Sequence, residues 1–139
     1  MRCKKTNHDI DMGCGGFSNL RNTVAKLASP EFAEHYEHLT DAYHYSGKER
    51  DAFFEDFDKK TMEMLNAGVI NIKILDFLMQ SDSGGAIHYG ACKNILKAIG
   101  DYDDNICYGY AGQKDCAMFR DFKQILQDCV DTKSDMVWN

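Results

Sequence analysis

The sequence predicts a mainly α-helical protein, a single domain of about six helices over residues 1–139, and three observations favour this fold class. Apolar residues recur at spacings of three and four along most of the chain, as they do on the buried face of a helix. Ser, Pro and Gly stand at the ends of these segments, where they start and stop helices. The length of 139 residues is the usual size of one domain, and the hydrophobic content of 44% suffices for a core.

The beginning of the chain is expected to be less regular than the rest. Residues 1–12 show no clear period, so we expect this segment to be loosely ordered. The Gly-rich stretch 13–17 predicts a bend, and Ser18 is a suitable N-cap. A first helix is therefore predicted over 19–28, where the apolar residues fall on one face.

Two longer helices are predicted next. The pattern Ser29-Pro30-Glu31 is typical of a helix start, because Ser caps, Pro fits the first helical position and an acid suits the first turn. This helix is expected over 30–42. The pattern Ser46-Gly47-Lys48-Glu49 fits a capping box and predicts a third helix that ends near Ala67. Gly68 follows as the expected stop, because Gly adopts the left-handed conformation that closes a helix.

The middle of the chain has one segment that fits two structures. Residues 69–74 partly alternate, as in a strand, whereas the apolar residues up to Met79 follow helical spacing. We favour a helix that begins near Asn71. A further helix is predicted over 89–99, and Gly100 is its expected stop.

The C-terminal part combines a minor β element with a last helix. Residues 105–110 and 135–138 could form a two-stranded β element. Asp115 is the expected N-cap of a final helix that ends near Val130. Its apolar face is formed by Phe119, Phe122, Ile125, Leu126 and Cys129.

Charge and hydropathy exclude several function classes. The net charge of −6 argues against nucleic acid as the partner, because nucleic-acid binding depends on Lys and Arg that neutralise phosphates. No apolar stretch is long enough to span a membrane. The basic residues at the start are followed by polar Thr6-Asn7-His8-Asp9 rather than by an apolar run, so no secretory signal is predicted. We therefore expect a cytoplasmic protein.

Six cysteines are present, and the expected compartment decides how they are interpreted. Thiols stay reduced in the cytosol, and no two cysteines have the C-x-x-C spacing of common redox and zinc motifs. Most of them are therefore expected to pack as small apolar residues. Cys14 and Cys116 lie near predicted helix starts, where a thiol has a lowered pKa. These two cysteines are the candidate catalytic nucleophiles, provided that a His lies within reach as base.

The segment 80–87 resembles a calcium loop of the EF-hand type that has lost most of its ligands. With Gly85 at the sixth loop position, Ile87 occupies the eighth position, which is usually apolar. Asp82 is then the one remaining carboxylate, and Ala91 stands where a bidentate Glu is required. Calcium needs six to eight oxygen ligands. We therefore predict no metal in this loop.

The same loop supplies most of the candidate binding residues. Gly84 and Gly85 could make a sharp turn between two helices, with Asp82 or Ser83 bonded to backbone amides. The alternative is an exposed recognition loop formed by these four residues. Phe54 is a fifth candidate, because adjacent Phe side chains cannot both point inward at the same angle and aromatics are enriched at interfaces.

The stretch Phe77-Leu78-Met79-Gln80-Ser81-Asp82-Ser83-Gly84-Gly85, with the later Cys92, is similar to a pattern in small uncharacterised bacterial and phage proteins. The downstream Phe119, Phe122, Leu126 and Cys129 also resemble that group, and the similarity covers about half of the chain. The resemblance implies a common fold. It implies no activity and no catalytic residue.

Three other constellations are weaker. His35 and His38 share a helix face at a spacing of three, which is expected to be a solvated polar face rather than a metal pair. Cys3, His8 and Cys14 are too loosely spaced for a structural zinc site. The Gly-rich stretch 13–17 lacks the remaining residues of a phosphate-binding loop.

The sequence therefore predicts a small binding or regulatory protein that acts through surface recognition, with another protein as partner and no cofactor. This prediction follows because no familiar spacing of acid, base, nucleophile or metal ligands is present. Two alternatives stay open: a small cysteine-thiol enzyme, and an acidic phage-type inhibitor protein.

Overall fold

A computed structural model describes residues 1–109 and 116–139 of the chain. Its described part contains six α-helices, one 3₁₀ helix and three short strands, in a single mainly helical unit. In chain order the elements are β1 (Arg2–Cys3), α1 (Cys14–Ala28), α2 (Pro30–Glu37), the 3₁₀ helix (His38–His44), α3 (Gly47–Asn66), α4 (Ile72–Met79), β2 (Gly85–Ile87), α5 (Tyr89–Ile99), α6 (Phe119–Thr132) and β3 (Met136–Trp138).

The core lies around α5, which packs against α1, α4 and α6, while α2 packs against α1. The apolar face predicted for α6 is completely buried. The largest fully buried side chains are Leu20, Val24, Phe32, Phe77, Leu78, Ile87, Ile95, Phe119, Phe122, Ile125, Leu126 and Met136. These stripes stabilise the fold by removing apolar surface from water. None of the helices in the described ranges combines the length and apolar character needed to cross a bilayer.

The β structure differs from the predicted two-stranded element. Residues 136–138 do form a strand, but β3 is the centre of a three-stranded antiparallel sheet in the order β1-β3-β2. Cys107 instead makes an isolated bridge with Met118, and Tyr110 lies outside the described residues. The strands that cover β3 come from distant parts of the chain, which short-range alternation does not reveal.

The N-terminal segment is more ordered than expected. Arg2 and Cys3 pair with Val137 and Met136, and the Cys3 side chain is fully buried. Ile10 is also buried in the core cluster. Pairing with β3 satisfies the backbone of a segment whose own sequence shows no period.

Helix starts agree with the sequence in part. Ser29 caps α2 as predicted, with its hydroxyl accepting a hydrogen bond from Phe32 N at 3.2 Å. The capping box at Ser46 is not formed, because the Ser46 side chain makes no cap hydrogen bond. Helix α1 begins at Cys14, earlier than predicted, so Gly13 rather than Ser18 is at the N-cap position and the rest of the Gly-rich stretch is helical. At Gly16 a Cβ would lie 1.9 Å from the Tyr108 carbonyl oxygen, so the small residue permits close packing rather than a bend.

Helix ends follow the glycines more closely. Gly68 and Gly100 both have positive φ and end α3 and α5, as predicted. The helix predicted over 30–42 changes at His38 into the 3₁₀ helix, where a bond of 2.9 Å between His38 and Asp41 suits a repeat of three residues. For α4 the helical alternative is confirmed, with Asn71 as its cap.

The last helix starts at Phe119 and continues to Thr132. The predicted cap, Asp115, lies outside the described residues. Met118 occupies the N-cap position, and its backbone N donates to the Asp121 carboxylate at 3.0 Å.

Candidate functional site

A pocket of about 560 Å³ lies between α1, the 3₁₀ helix, the first half of α3 and the loop that follows α4. This volume is within the range of small-molecule sites. The residues that line it are Ser18, Arg21 and Asn22 from α1, Tyr36 and Glu37 from α2, Leu39, Thr40, Ala42 and Tyr43 from the 3₁₀ helix, Arg50 and Phe54 from α3, and Leu78 to Asp82. The pocket thus brings together two candidates that are distant in sequence, Asp82 and Phe54.

Arg21 is the most unusual side chain of the pocket, because its guanidinium is buried. Only 4% of the side chain is exposed, and the guanidinium carbon lies 4.1 Å from the centre of the Phe17 ring. Burial lowers the pKa of Arg21, while the electrostatic influence of Tyr36 and Asp82 opposes this shift. Arg nevertheless keeps its charge in proteins, so α1 carries a cation into an aromatic environment.

The guanidinium is incompletely paired. Its Nη1 donates to Oδ1 of Asp82 at 2.5 Å. Among the residues that the structure describes, neither Nε nor Nη2 of Arg21 has a hydrogen-bond partner. Buried donors without partners are rare and costly, so Arg21 is an unusual residue to find in the lining of a surface pocket.

Tyr36 completes the buried polar part of the pocket. Its hydroxyl donates to the Leu78 carbonyl oxygen at 2.9 Å, which ties α2 to the end of α4. Burial raises the pKa of Tyr36, and the nearby Arg21 cation opposes the shift. The side chain therefore stays a neutral phenol at physiological pH.

The loop between α4 and β2 is held by side-chain contacts on both sides of Asp82. The Gln80 amide pairs with the backbone of Ala86, accepting from its N at 3.0 Å and donating to its O at 2.9 Å. Trp138 donates from Nε1 to the Ser81 carbonyl at 3.0 Å. Asp82 itself is 44% exposed at the pocket mouth, so its carboxylate meets Arg21 on one side and solvent on the other.

The structure gives the EF-hand-like loop another role. Asp82 pairs with a guanidinium, and the Ser83 backbone N donates to the Ser81 hydroxyl. Gly85 belongs to β2 rather than to a sharp turn between helices, and a Cβ there would lie 2.3 Å from the Trp138 ring. In the described ranges, no group of three or more His, Cys, Asp or Glu side chains is arranged to hold a metal.

Phe54 is half-buried and lines the pocket on α3. Its ring packs edge-on against Phe53 at 5.6 Å, and the Arg50 guanidinium lies 5.6 Å from its centre. Tyr43 stands nearby on the 3₁₀ helix with 84% of its surface exposed. Aromatic and guanidinium groups of this kind are frequent at binding hot spots.

The candidate nucleophiles lie outside this pocket. Cys14 is exposed at the start of α1, and the half-buried Cys116 donates from Sγ to the Asp11 carbonyl at 3.7 Å. Three other thiols, Cys3, Cys92 and Cys129, are buried in the core. Contact with Cys92, together with burial, raises the pKa of Cys129 far above its ordinary value. This thiol is therefore protonated and inert, as expected of a packing residue.

Four histidines have contacts in the described residues, and these contacts are with groups other than the thiols of Cys14 and Cys116. His35 is buried rather than solvated as predicted, because it stacks on Phe57 at 4.1 Å and bonds to the Thr61 hydroxyl at 2.8 Å. His38 bonds to Asp41, and His88 accepts from the Gly90 backbone. Nδ1 of His8 lies 3.9 Å from the Asp128 carboxylate.

Arg21 and Tyr36 are the site residues that sequence reasoning missed. The available signal was an Arg inside an apolar stripe, since Phe17, Leu20 and Val24 lie at helical spacing around it. A charged residue on the buried face of a helix indicates either a paired structural charge or a site.

Comparisons with known proteins provide no relative for this site. Neither the family models, nor the curated proteins, nor the solved structures match the chain. The resemblance to small bacterial and phage proteins therefore stays a prediction.

Proposed function

We propose that this chain is a small cytoplasmic binding or regulatory protein that recognises a partner protein through the face around the pocket. The observation that carries the proposal is the pocket of about 560 Å³ with a buried, incompletely paired Arg21 beneath it. A concave site with few polar groups and a perturbed charge is the usual form of a binding site.

The rim of the pocket supports a protein as the partner. Tyr43 is 84% exposed, Phe54 is half-buried, and Arg50 lies beside them on α3. Tyr and Arg are enriched among residues that dominate binding energies. A partner residue that enters the pocket would be surrounded by these side chains.

The proposal is tested by photo-crosslinking followed by binding measurements. A benzoyl-phenylalanine placed at Tyr43 is expected to give one dominant adduct in native cells, whereas the same group at the exposed Lys97 of α5 gives none. The protein in the adduct is identified by mass spectrometry, purified and titrated against the chain. We expect Phe54→Ala to weaken its binding about tenfold or more, and Lys97→Ala to leave it unchanged. Equal binding by both variants would refute the proposal.

A further inference from the structure

The buried guanidinium of Arg21 offers more hydrogen-bonding capacity than the protein uses. Arg presents five N–H donors in a rigid fork that matches two oxygens of one carboxylate. Asp82 takes one Nη1 bond through Oδ1. Nη2, the adjacent arm of the fork, has no partner among the described residues. The internal ion pair therefore has one hydrogen bond, whereas the favoured pairing of Arg with a carboxylate has two parallel hydrogen bonds.

The Asp82 side chain is placed so that it can rotate away from Arg21. Asp82 belongs to the loop between α4 and β2, and 44% of its side chain is exposed, against 4% for Arg21. Rotation toward solvent would leave its carboxylate hydrated rather than stranded. The anchors of the loop, Gln80 and Trp138, hold the backbone and not the Asp82 side chain.

We propose that Arg21 is the anchor of a carboxylate-binding site, where the carboxylate of an incoming ligand displaces Asp82 and pairs with both Nη1 and Nη2. This inference rests on the proposed function, because it names the chemistry that the same pocket recognises. Asp82 then acts as an internal stand-in that keeps the cation paired in the free protein. The displacement breaks an ion pair that has one hydrogen bond and forms an ion pair that has two.

The charges of the pocket favour a carboxylate over a phosphate group. Asp82 and Glu37 line it beside Arg21 and Arg50, so the acids and cations of the lining balance, and the whole chain has a net charge of −6. A phosphate group carries nearly two negative charges at neutral pH and is repelled more strongly by these acids. A carboxylate carries one charge and fits the planar fork.

The remaining lining favours an apolar or aromatic body attached to the carboxylate. Leu39, Tyr43, Phe54 and Met79 contribute apolar surface around the polar floor. Such a ligand is either a free small acid or the C-terminal carboxyl group of a peptide chain that ends in an apolar residue. Both share the chemistry proposed, and the experiment below distinguishes them.

The test is calorimetric titration of the full chain with two pairs of probes. One pair is 3-phenylpropionate and its amide, and the other is acetyl-Gly-Gly-Phe with a free carboxyl end and with an amidated end. We expect the acids to bind at least about tenfold more tightly than the amides, because only they are charged partners for Arg21. Binding of the free acid alone assigns a small molecule, and binding of the peptide acid assigns a chain end. Either result supports the carboxylate site.

Two variants test the displacement itself. If Asp82 is paired with Arg21 in about nine-tenths of the molecules, only about one-tenth can bind an acid directly. Asp82→Ala should then tighten binding of the acids about tenfold. Arg21→Met should abolish the difference between acid and amide, with circular dichroism confirming that the variant is folded. Asp135→Ala, which removes the carboxylate of an exposed pair with Lys4, is the matched control and should leave binding unchanged.

Three outcomes overturn the inference: equal binding of acids and amides, unchanged preference in a folded Arg21→Met variant, or failure of Asp82→Ala to bind the acids. The crosslink at Tyr43 is independent of these readouts. A discrete adduct together with any of these failures would retain the proposed function and discard the carboxylate anchor.

Discussion

At the scale of single residues, Arg21 and Asp82 form an ion pair whose two halves lie in different surroundings. The guanidinium is 4% exposed and packed on aromatic rings, while the carboxylate is 44% exposed. Removing the Asp82 carboxylate leaves the buried Arg21 charge without an ionic partner. Replacing Arg21 with an apolar side chain leaves only the Asp82 carboxylate, which is hydrated. The two partners should therefore respond very differently to mutation.

The first prediction concerns the stability of these variants. Asp82→Ala should lower the free energy of unfolding by about 1–2 kcal/mol, because it leaves the buried guanidinium without its carboxylate. Arg21→Met should stay within about 1 kcal/mol of the wild type or exceed it. Urea denaturation measures both, with Asp135→Ala as a control expected to cost below about 1 kcal/mol. A large loss for Arg21→Met would mean that the cation is a structural requirement.

The second prediction concerns His35 and pH. Burial lowers the pKa of His35, and Lys60 and His38 add to the shift, although a hydrogen bond with the Phe57 backbone opposes it. Below the ordinary value of about 6.5 the unfolded chain therefore binds a proton that the folded chain resists, so stability falls as the pH drops. Above that pH both states are neutral and His35 adds no pH dependence.

Urea titrations from about pH 7.5 to 5 check this dependence. We expect the free energy of unfolding to fall less steeply in His35→Gln than in the wild type. His44→Gln, at an exposed histidine, is the control and should retain the wild-type slope. Identical slopes for His35→Gln and the wild type would show that His35 does not resist protonation in the fold.

At the scale of elements, the sheet depends on close contact between β2 and the Trp138 side chain. A Cβ at Gly85 would lie 2.3 Å from the Trp138 ring and 2.5 Å from Oε1 of Gln80. At the neighbouring Gly84 the nearest atom would be 3.9 Å away, an ordinary contact. The two glycines therefore differ in what they permit, although they are adjacent in the sequence.

The third prediction uses this pair. Gly85→Ala should lower the free energy of unfolding by about 1–3 kcal/mol, since Trp138 must move. Gly84→Ala should change it by less than about 0.5 kcal/mol. Fluorescence of Trp138, the one tryptophan of the chain, reports both the unfolding and the local rearrangement. An equal cost for the two variants would contradict the packing described at β2.

The helices and strands also show which features of the fold can be predicted from the sequence. Helical periods and the Gly stops gave α5 with its observed bounds, because both signals are local. The partners of β3 are far away in the chain, so no local pattern identifies them. The early start of α1 also escaped prediction, since Gly16 is required by contact with Tyr108 rather than by a bend. The buried Arg21 was missed because its partner, Asp82, comes from a distant loop.

At the scale of the whole molecule, α3 is the helix least integrated with the core. Its buried residues are Phe57 and Thr61, which pack on His35 beside the 3₁₀ helix. Few buried contacts are typical of elements that open locally at low free-energy cost. Because α3 also carries Arg50 and Phe54, its docking defines one wall of the pocket.

The fourth prediction follows from this unequal stability. Phe57→Ala should accelerate amide hydrogen exchange across Gly47–Asn66 by about tenfold or more while α5 and α6 stay protected. Met62→Ala, at a side chain of the same helix that is 52% exposed, should leave exchange unchanged. A uniform acceleration in all helices would mean that α3 unfolds only with the core.

In the proposed carboxylate site, Arg21 binds an external carboxylate, and Asp82 takes the place of that carboxylate in the free protein. The most direct test is a crystal structure of Asp82→Ala soaked with 3-phenylpropionate. We predict that the two carboxylate oxygens lie about 3 Å from Nη1 and Nη2 of Arg21, with the phenyl ring near Phe54. A probe bound elsewhere, or an Arg21 side chain that has turned out to solvent, would rule out the proposed carboxylate site.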